Sequence, residues 1–231
     1  MTLSLLRRIP TKAAKILRFT LRLPALWTRG LRFYPPNYIY AKHLNSESIV
    51  VDVGCGHVAE FSKHVMEKYG AKAVGVDPTK KHAPFLEKLA DETGGRFAHL
   101  PAAVAATSGK LVFNESVDNE SGSLLDDHNN VLNDRIRTYE VEVITFGQIP
   151  GRIGVKQVDL VKIDLEGIEY DVIPALTAED CRPFSQIFCE FHHHCIDRYT
   201  PRDTQKMVAH MTSLGLTAFS LDDHNYLFYR E

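Results

Sequence analysis

The chain has 231 residues and a formal net charge of -2, with 44% hydrophobic and 24% charged residues, a composition that excludes collagen, a disulfide scaffold and wholesale disorder. At 26.1 kDa one domain with an appendage fits better than two full domains, and folding removes roughly 70% of the unfolded-state surface without metal or disulfide staples. No apolar run reaches the roughly 18 residues of a membrane span, and Cys55, Cys181, Cys189 and Cys195 lack paired metal-ligand spacing, so reduced thiols in a cytoplasmic protein are expected.

Charge is distributed unevenly. Nine of the 27 basic residues and none of the 29 acidic ones precede residue 47, which makes residues 1–46 a basic arm on an acidic domain spanning 47–231. Leu3, Leu6, Ile9, Ala13, Ile16, Leu17 and Phe19 recur among Arg and Lys at helical spacing, with Pro10 at a helix start or break. Such a helix either lies on an anionic membrane surface, with Trp27, Phe33 and Tyr34 as interfacial anchors, or packs its apolar side on the domain. Peripheral membrane contact through residues 3–34 and packing on the domain or a partner both remain open for the arm. Nucleic acid is not an expected partner, because the acidic remainder would repel phosphate.

Beyond Pro35 and Pro36, β-rich runs alternate with helical stretches, the pattern of a mostly parallel, doubly wound α/β sheet. Strands are expected at 48–53, 72–77, 96–100, 158–164 and 185–191, and helices at 58–69, 81–93, 167–176 and 201–214. The end of the chain, with Asp222, Asp223, His224 and Asn225 between two apolar runs, reads as a β-hairpin. Between the third and fourth sheet strands lies an insertion at 109–146. Its two alternating segments, 109–114 and 137–146, flank an acidic loop from Glu115 to Asp134 of the kind that serves as a lid or binding loop.

The stretch VVDVGCGHVAEFS at 50–62 runs an apolar strand into Asp52, then into a tight turn at Gly54, Cys55 and Gly56, then into a helix. Asp77 ends the next strand, where a carboxylate can take ribose hydroxyls at a topological switch point. A dinucleotide would want a helix N-terminus facing its pyrophosphate. The negative Asp52 beside the glycines instead suits a cationic, phosphate-free ligand, which favours S-adenosyl-L-methionine over NAD.

Two further stretches carry acids to the same edge. In VDLVKIDLEGIEYDVI at 158–173, Lys162 and Asp164 share a side by alternation, and Glu166 and Glu169 lead into the next helix. In QIFCEFHHHC at 186–195, Glu190 and His192 share a side. Glu190, His192, Asp164 and Glu166 are candidate bases. Asp164, Glu190 and His192 are also candidate ligands for a Mg²⁺-type ion, a route ranked below metal-free catalysis. Lys162 also reads as a simple ion-pair partner, and Glu169 equally as a helix-surface acid or an active-site group. Zinc at His192–Cys195 is discounted, since consecutive strand residues face opposite ways.

VDVGCG, VDP at 76–78, AAVAATSG at 102–109, SGSL at 121–124, VEVITF at 141–146, KIDLEGIE at 162–169 and IFCEFH at 187–192 together resemble the FkbM family of methyltransferases over roughly residues 48–229. The resemblance implies a seven-stranded methyltransferase sheet with its last strand antiparallel, S-adenosyl-L-methionine as cofactor, and methyl transfer to a hydroxyl of a sugar, glycan or related natural product. By position it implies that Asp52, Gly54 and Gly56 line the methionine part, that Asp77 holds the ribose, and that Ala103 and Val104 flank the adenine; Cys55, Pro78 and Asp164 are further candidate cofactor-binding residues of the same crevice. It also raises Ser121, Gly122 and Ser123 from a turn to part of an acceptor loop. The chain departs from the family pattern at Val58, where glycine is frequent, and at Cys55 and His57, where the family often has Ala-Asn. Other readings of the same crevice are a partner subunit without turnover, an enzyme of a soluble non-sugar molecule, and an NAD oxidoreductase, which Asp52 disfavours.

Overall fold

The computed structural model describes residues 11–125 and 134–230. The expectations for Leu3, Leu6, Ile9 and Pro10, and for the middle of the acidic loop at 126–133, lie outside the described residues.

Seven strands form the central sheet: β3 (Ile49–Val53), β4 (Lys72–Val76), β5 (Phe97–Leu100), β10 (Leu160–Ile163), β11 (Gln186–Glu190), β12 (Thr217–Phe219) and β13 (Asn225–Tyr229). Their order is β12-β13-β11-β10-β3-β4-β5. The pairs from β11 through β5 are parallel, and β13 runs antiparallel between β11 and β12. The expected seven-stranded sheet with an antiparallel last strand is therefore present. Helices α2 (Glu60–Tyr69), α3 (Ala83–Glu92), α5 (Glu169–Ala175) and α7 (Pro201–Ser213) link its strands, with the short α4 (Ile149–Arg152) and α6 (Ala178–Cys181) before β10 and β11.

The sheet forms because its central strands are apolar on both faces, as burial on two sides requires. Val51, Val53, Val161 and Ile163 enter one core with α5 and α7, whereas Val50, Ala73 and Leu160 enter a second with Phe61, Val65 and Leu86 of α2 and α3. The same alternation places Asp52 and Lys162, which are register partners across β3 and β10, on the second face.

Element ends differ from the sequence expectation for local reasons. Helix α2 starts at Glu60 rather than 58, because Ala59 adopts a left-handed conformation (φ 49°) that closes the preceding turn. Helix α5 starts at Glu169 after positive φ at Glu166 and Gly167. The second inserted strand stops at Ile144, where Thr145 and Gln148 form a capping box over a short 3₁₀ turn.

The insertion supplies β7 (Gly109–Ser116), β8 (Gly122–Ser123) and β9 (Ile136–Ile144), which form a second sheet with β6 (Ala103–Val104), just before it in the chain, in the order β6-β9-β7-β8. At the other end, α1 (Thr11–Thr28) precedes a two-stranded sheet of β1 (Arg32–Tyr34) and β2 (Asn37–Ile39). Leu26, Leu31 and Tyr38 are buried against Phe188, Phe219 and Leu227, and the Tyr38 hydroxyl donates to the Asn225 carbonyl. Ile16, Leu21 and Trp27 stay exposed on α1 (62%, 69% and 73%). No helix among the described residues is long and apolar enough to cross a membrane.

Candidate functional site

A crevice opens at the carboxyl ends of β3, β4, β10 and β11, where connections leave β3 toward β4 on one side and β10 lies on the other, the switch point of a doubly wound sheet. It has two lobes, of about 210 Å³ and 300 Å³, divided by Gly54, Gly56 and Asp164, which line both. Two glycines shape the divide. Gly54 has φ 76°, and a Cβ there would lie 1.9 Å from the Asp164 carbonyl oxygen, so only glycine lets the β3 turn rest on β10. Gly56 has φ 62° with nothing within 4 Å of a Cβ position, leaving its amide edge open.

The first lobe is lined by Asp77, Pro78, Ala103 and Val104, and its far wall is Ser121–Leu124 of the insertion. Gly122 and Ser123 form β8 there rather than a simple turn. The Asp77 carboxylate accepts from the backbone amides of Gly56 (2.9 Å) and Thr79 (2.8 Å) and lies 3.3 Å from His82 Nδ1. Burial would raise its pKa, but the hydrogen bonds and charge of His82 and Thr79 outweigh that and hold it below the usual range. His99, to which the sequence assigns no role, lies with Nε2 3.0 Å from the Asp77 carbonyl oxygen.

The second lobe is lined by Asp52, Cys55, Lys162 and Glu190 and is roofed by Tyr34–Asn37. Ser62 donates its amide and hydroxyl to Asp52 Oδ2 (3.2 and 2.8 Å). The other Asp52 oxygen, Oδ1, is buried without a hydrogen-bond partner, and so is Asn37 Oδ1. Lys162 Nζ lies 2.8 Å from Asp164 Oδ2 and 4.0 Å from Asp52 Oδ1. Burial works against its charge, yet the carboxylates of Asp164 and Asp52 push its pKa up. Burial and the neighbouring Asp164 charge raise Glu190 to about 7. Burial raises Asp52 as well, despite Lys162. For Asp164 burial is outweighed by Lys162 and His192, so it stays low.

Behind Asp164 stands His192. Its Nε2 lies 3.4 Å from Asp164 Oδ1 and 3.6 Å from Glu166 Oε2, and its Nδ1 lies 2.8 Å from Glu169 Oε1. Burial opposes protonation, but these three carboxylates raise its pKa to about 10. That direction favours the protonated ring, a cation set among three acids, over the neutral ring that a base requires. Glu169 is not a helix-surface acid: it is fully buried and accepts from the amides of Gly167 and His192. The metal-type grouping at this edge is Asp164, Glu166 and His192, whose donor atoms lie within 4.8 Å of one another. Glu190, expected in that set, lies outside it, with its side chain on the Lys162 side of the sheet.

Asp52, Gly54, Cys55, Gly56, Asp77, Pro78, Ala103, Val104, Lys162, Asp164, Glu166 and Glu190 thus line one crevice, and His192 braces it from behind. Sequence reasoning missed Asn37 and His82, and named Tyr34 only as an interfacial anchor. The matching of residues 33–216 to the Methyltransferase FkbM domain model decides what the crevice belongs to. The chain is a member of the FkbM methyltransferase family. A search of curated proteins returns no match. Among solved structures the FkbM chain is similar to a fibrillarin pre-rRNA processing protein of Methanococcus jannaschii, at 13% identity and a TM-score of 0.50, over 91% of this chain and 74% of that one. It is also similar to an Aeropyrum pernix fibrillarin with natively bound S-adenosyl-L-methionine, at 11% identity and a TM-score of 0.46, over 90% and 73% of the two chains. At such identities the first likeness shows the fold, a methyltransferase α/β sheet.

Proposed function

We propose that this FkbM-family chain binds S-adenosyl-L-methionine and methylates a hydroxyl oxygen of a saccharide or glycolipid. The observation that carries the cofactor reading is the pair of buried oxygens without donors, Asn37 Oδ1 and Asp52 Oδ1, on residues lining one lobe. Leaving two such acceptors unmet costs about 1–3 kcal/mol each, and an ammonium group meets that need as a pyrophosphate does not. Asn37, Asp52, Gly54 and Gly56 would hold the amino-acid part, Asp77 and Pro78 the ribose, and Ala103 and Val104 the adenine. When bound, the cofactor supplies an electrophilic methyl group on sulfur.

The chain's own residues then have to hold the acceptor and take its proton. Glu190, poised at about 7, is the base that neutral pH can use. Lys162 and His192 keep Asp164 ionised beside it. Because Lys162 already neutralises these carboxylates, the reading needs no metal at Asp164. Ser121–Leu124, on the rim of the first lobe, would contact the acceptor.

Calorimetric titration with S-adenosylhomocysteine, with NAD as the control, tests the cofactor: binding of the first alone is expected. Asp77→Ala should weaken that binding by about 1–3 kcal/mol through lost hydrogen-bond acceptors, and unchanged affinity would show that the ribose lies elsewhere.

The exposed apolar side of α1 favours a membrane-facing acceptor. Ile16, Leu21 and Trp27 project from a helix whose opposite side is already occupied by the domain, in a segment rich in Arg and free of acids. Flotation of the full chain with anionic vesicles is expected, and Leu21→Ser/Trp27→Ser should abolish it. Equal flotation of the double variant would remove the membrane proposal and leave a soluble acceptor.

A further inference from the structure

We propose that His57, His82 and Glu120 form a site for a divalent transition-metal ion of the zinc type, which fastens the insertion to the crevice loops. The three residues come from separate segments: the turn after Gly56, the residue before α3, and the approach to β8. Their donor atoms nevertheless lie within 4.8 Å of one another. Glu120 Oε2 is 3.1 Å from His57 Nδ1 and 3.2 Å from His82 Nε2. Glu120 is otherwise exposed (65% of its side chain), so its carboxylate reaches inward from solvent to meet both imidazoles.

The surroundings of His82 point the same way. Its side chain is buried, and its second nitrogen, Nδ1, lies 3.3 Å from Asp77 Oδ2. When an ion displaces the proton from Nε2, the carboxylate behind Nδ1 fixes the tautomer and directs the Nε2 lone pair at the ion, the arrangement that stands behind metal-bound histidines. Two imidazole nitrogens and one carboxylate oxygen are a borderline donor set, suited to Zn²⁺ and poorly suited to Mg²⁺ or Ca²⁺, and three protein ligands leave a fourth position for water. His82 and Glu120 also line the first lobe, but the inference does not rest on the methyl-transfer reading.

The consequence is mechanical. Glu120 directly precedes Ser121–Leu124, the wall of the first lobe, and His57 directly follows the glycine turn. An ion held by both sides ties that wall to the floor. Lys81 already makes a weaker tie, donating from Nζ to the carbonyls of Ser116 and Asn119.

The test uses the full chain after treatment with a chelator, titrated with Co²⁺ as a spectroscopic probe and then with Zn²⁺ as competitor. One equivalent of Co²⁺ should give visible absorption of a four-coordinate site, displaced by Zn²⁺. His57→Ala and Glu120→Ala, both at accessible positions, should each weaken binding by at least about tenfold, while the exposed His43→Asn should not. One equivalent of Zn²⁺ should also slow amide exchange over Ser116–Leu125 in the unmodified chain but not in His57→Ala. Absence of a stoichiometric ion, equal binding by the variants, or unchanged exchange in the segment would each overturn the proposal.

Discussion

Lys162→Met is expected to destabilise the fold by about 3–5 kcal/mol, the usual loss when one member of a buried ion pair is removed. The ammonium sits on the inner face of β10, 2.8 Å from Asp164 and 4.0 Å from Asp52, with only 11% of the side chain exposed. Without it the buried Asp52 and the partly buried Asp164 both lose their ammonium partner, which disfavours their charged forms. Denaturant unfolding monitors the loss. Lys162→Met/Asp164→Leu removes the closer pair but leaves Asp52 buried without its cation, so it should recover only part of the loss. A loss below about 1 kcal/mol in the single variant would mean that water, not Lys162, solvates these acids.

Glu190→Gln is expected to lower turnover by about 10²–10⁴-fold, the contribution of a positioned general base, while leaving S-adenosylhomocysteine affinity unchanged. The pH dependence supplies the sign. Glu190 takes a proton only when ionised, and burial together with Asp164 raises it to about 7, so wild-type kcat should climb as pH rises through that value and level off above it. The variant should lose that inflection along with the rate. His192, at about 10, stays protonated throughout this range and contributes no step there. A variant with wild-type turnover would remove Glu190 from the chemistry.

The sheet strands were legible because each is a short β-branched run bounded by breakers, and burial on both faces leaves little freedom of register. The convergence of Asp52, Asp77, Asp164 and Glu190 followed from the same alternation, since residues at carboxyl ends of parallel strands share an edge whatever the loops do. Other parts depended on distant chain. Glu169 reads as an exposed first-turn acid until His192, from the end of the next strand, covers it. Asn37 lies more than ten residues before the first strand of the central sheet, and the packing of Tyr38 on Phe188 and the C-terminal hairpin brings it over the Lys162 lobe. A helix in a basic segment announces its hydrophobic content but not its orientation: α1 spends one side on the domain and leaves another bare.

The insertion enters through β6 and leaves through β9, and these two strands are immediate neighbours, Ala103 beside Val143 and Val104 beside Ile144. A segment whose two ends meet at one point can be lengthened, shortened or transplanted without pulling on the scaffold that carries it. The wall of the first lobe is therefore carried by a segment whose change in length would leave Asp77, Asp164 and Glu190 in their places.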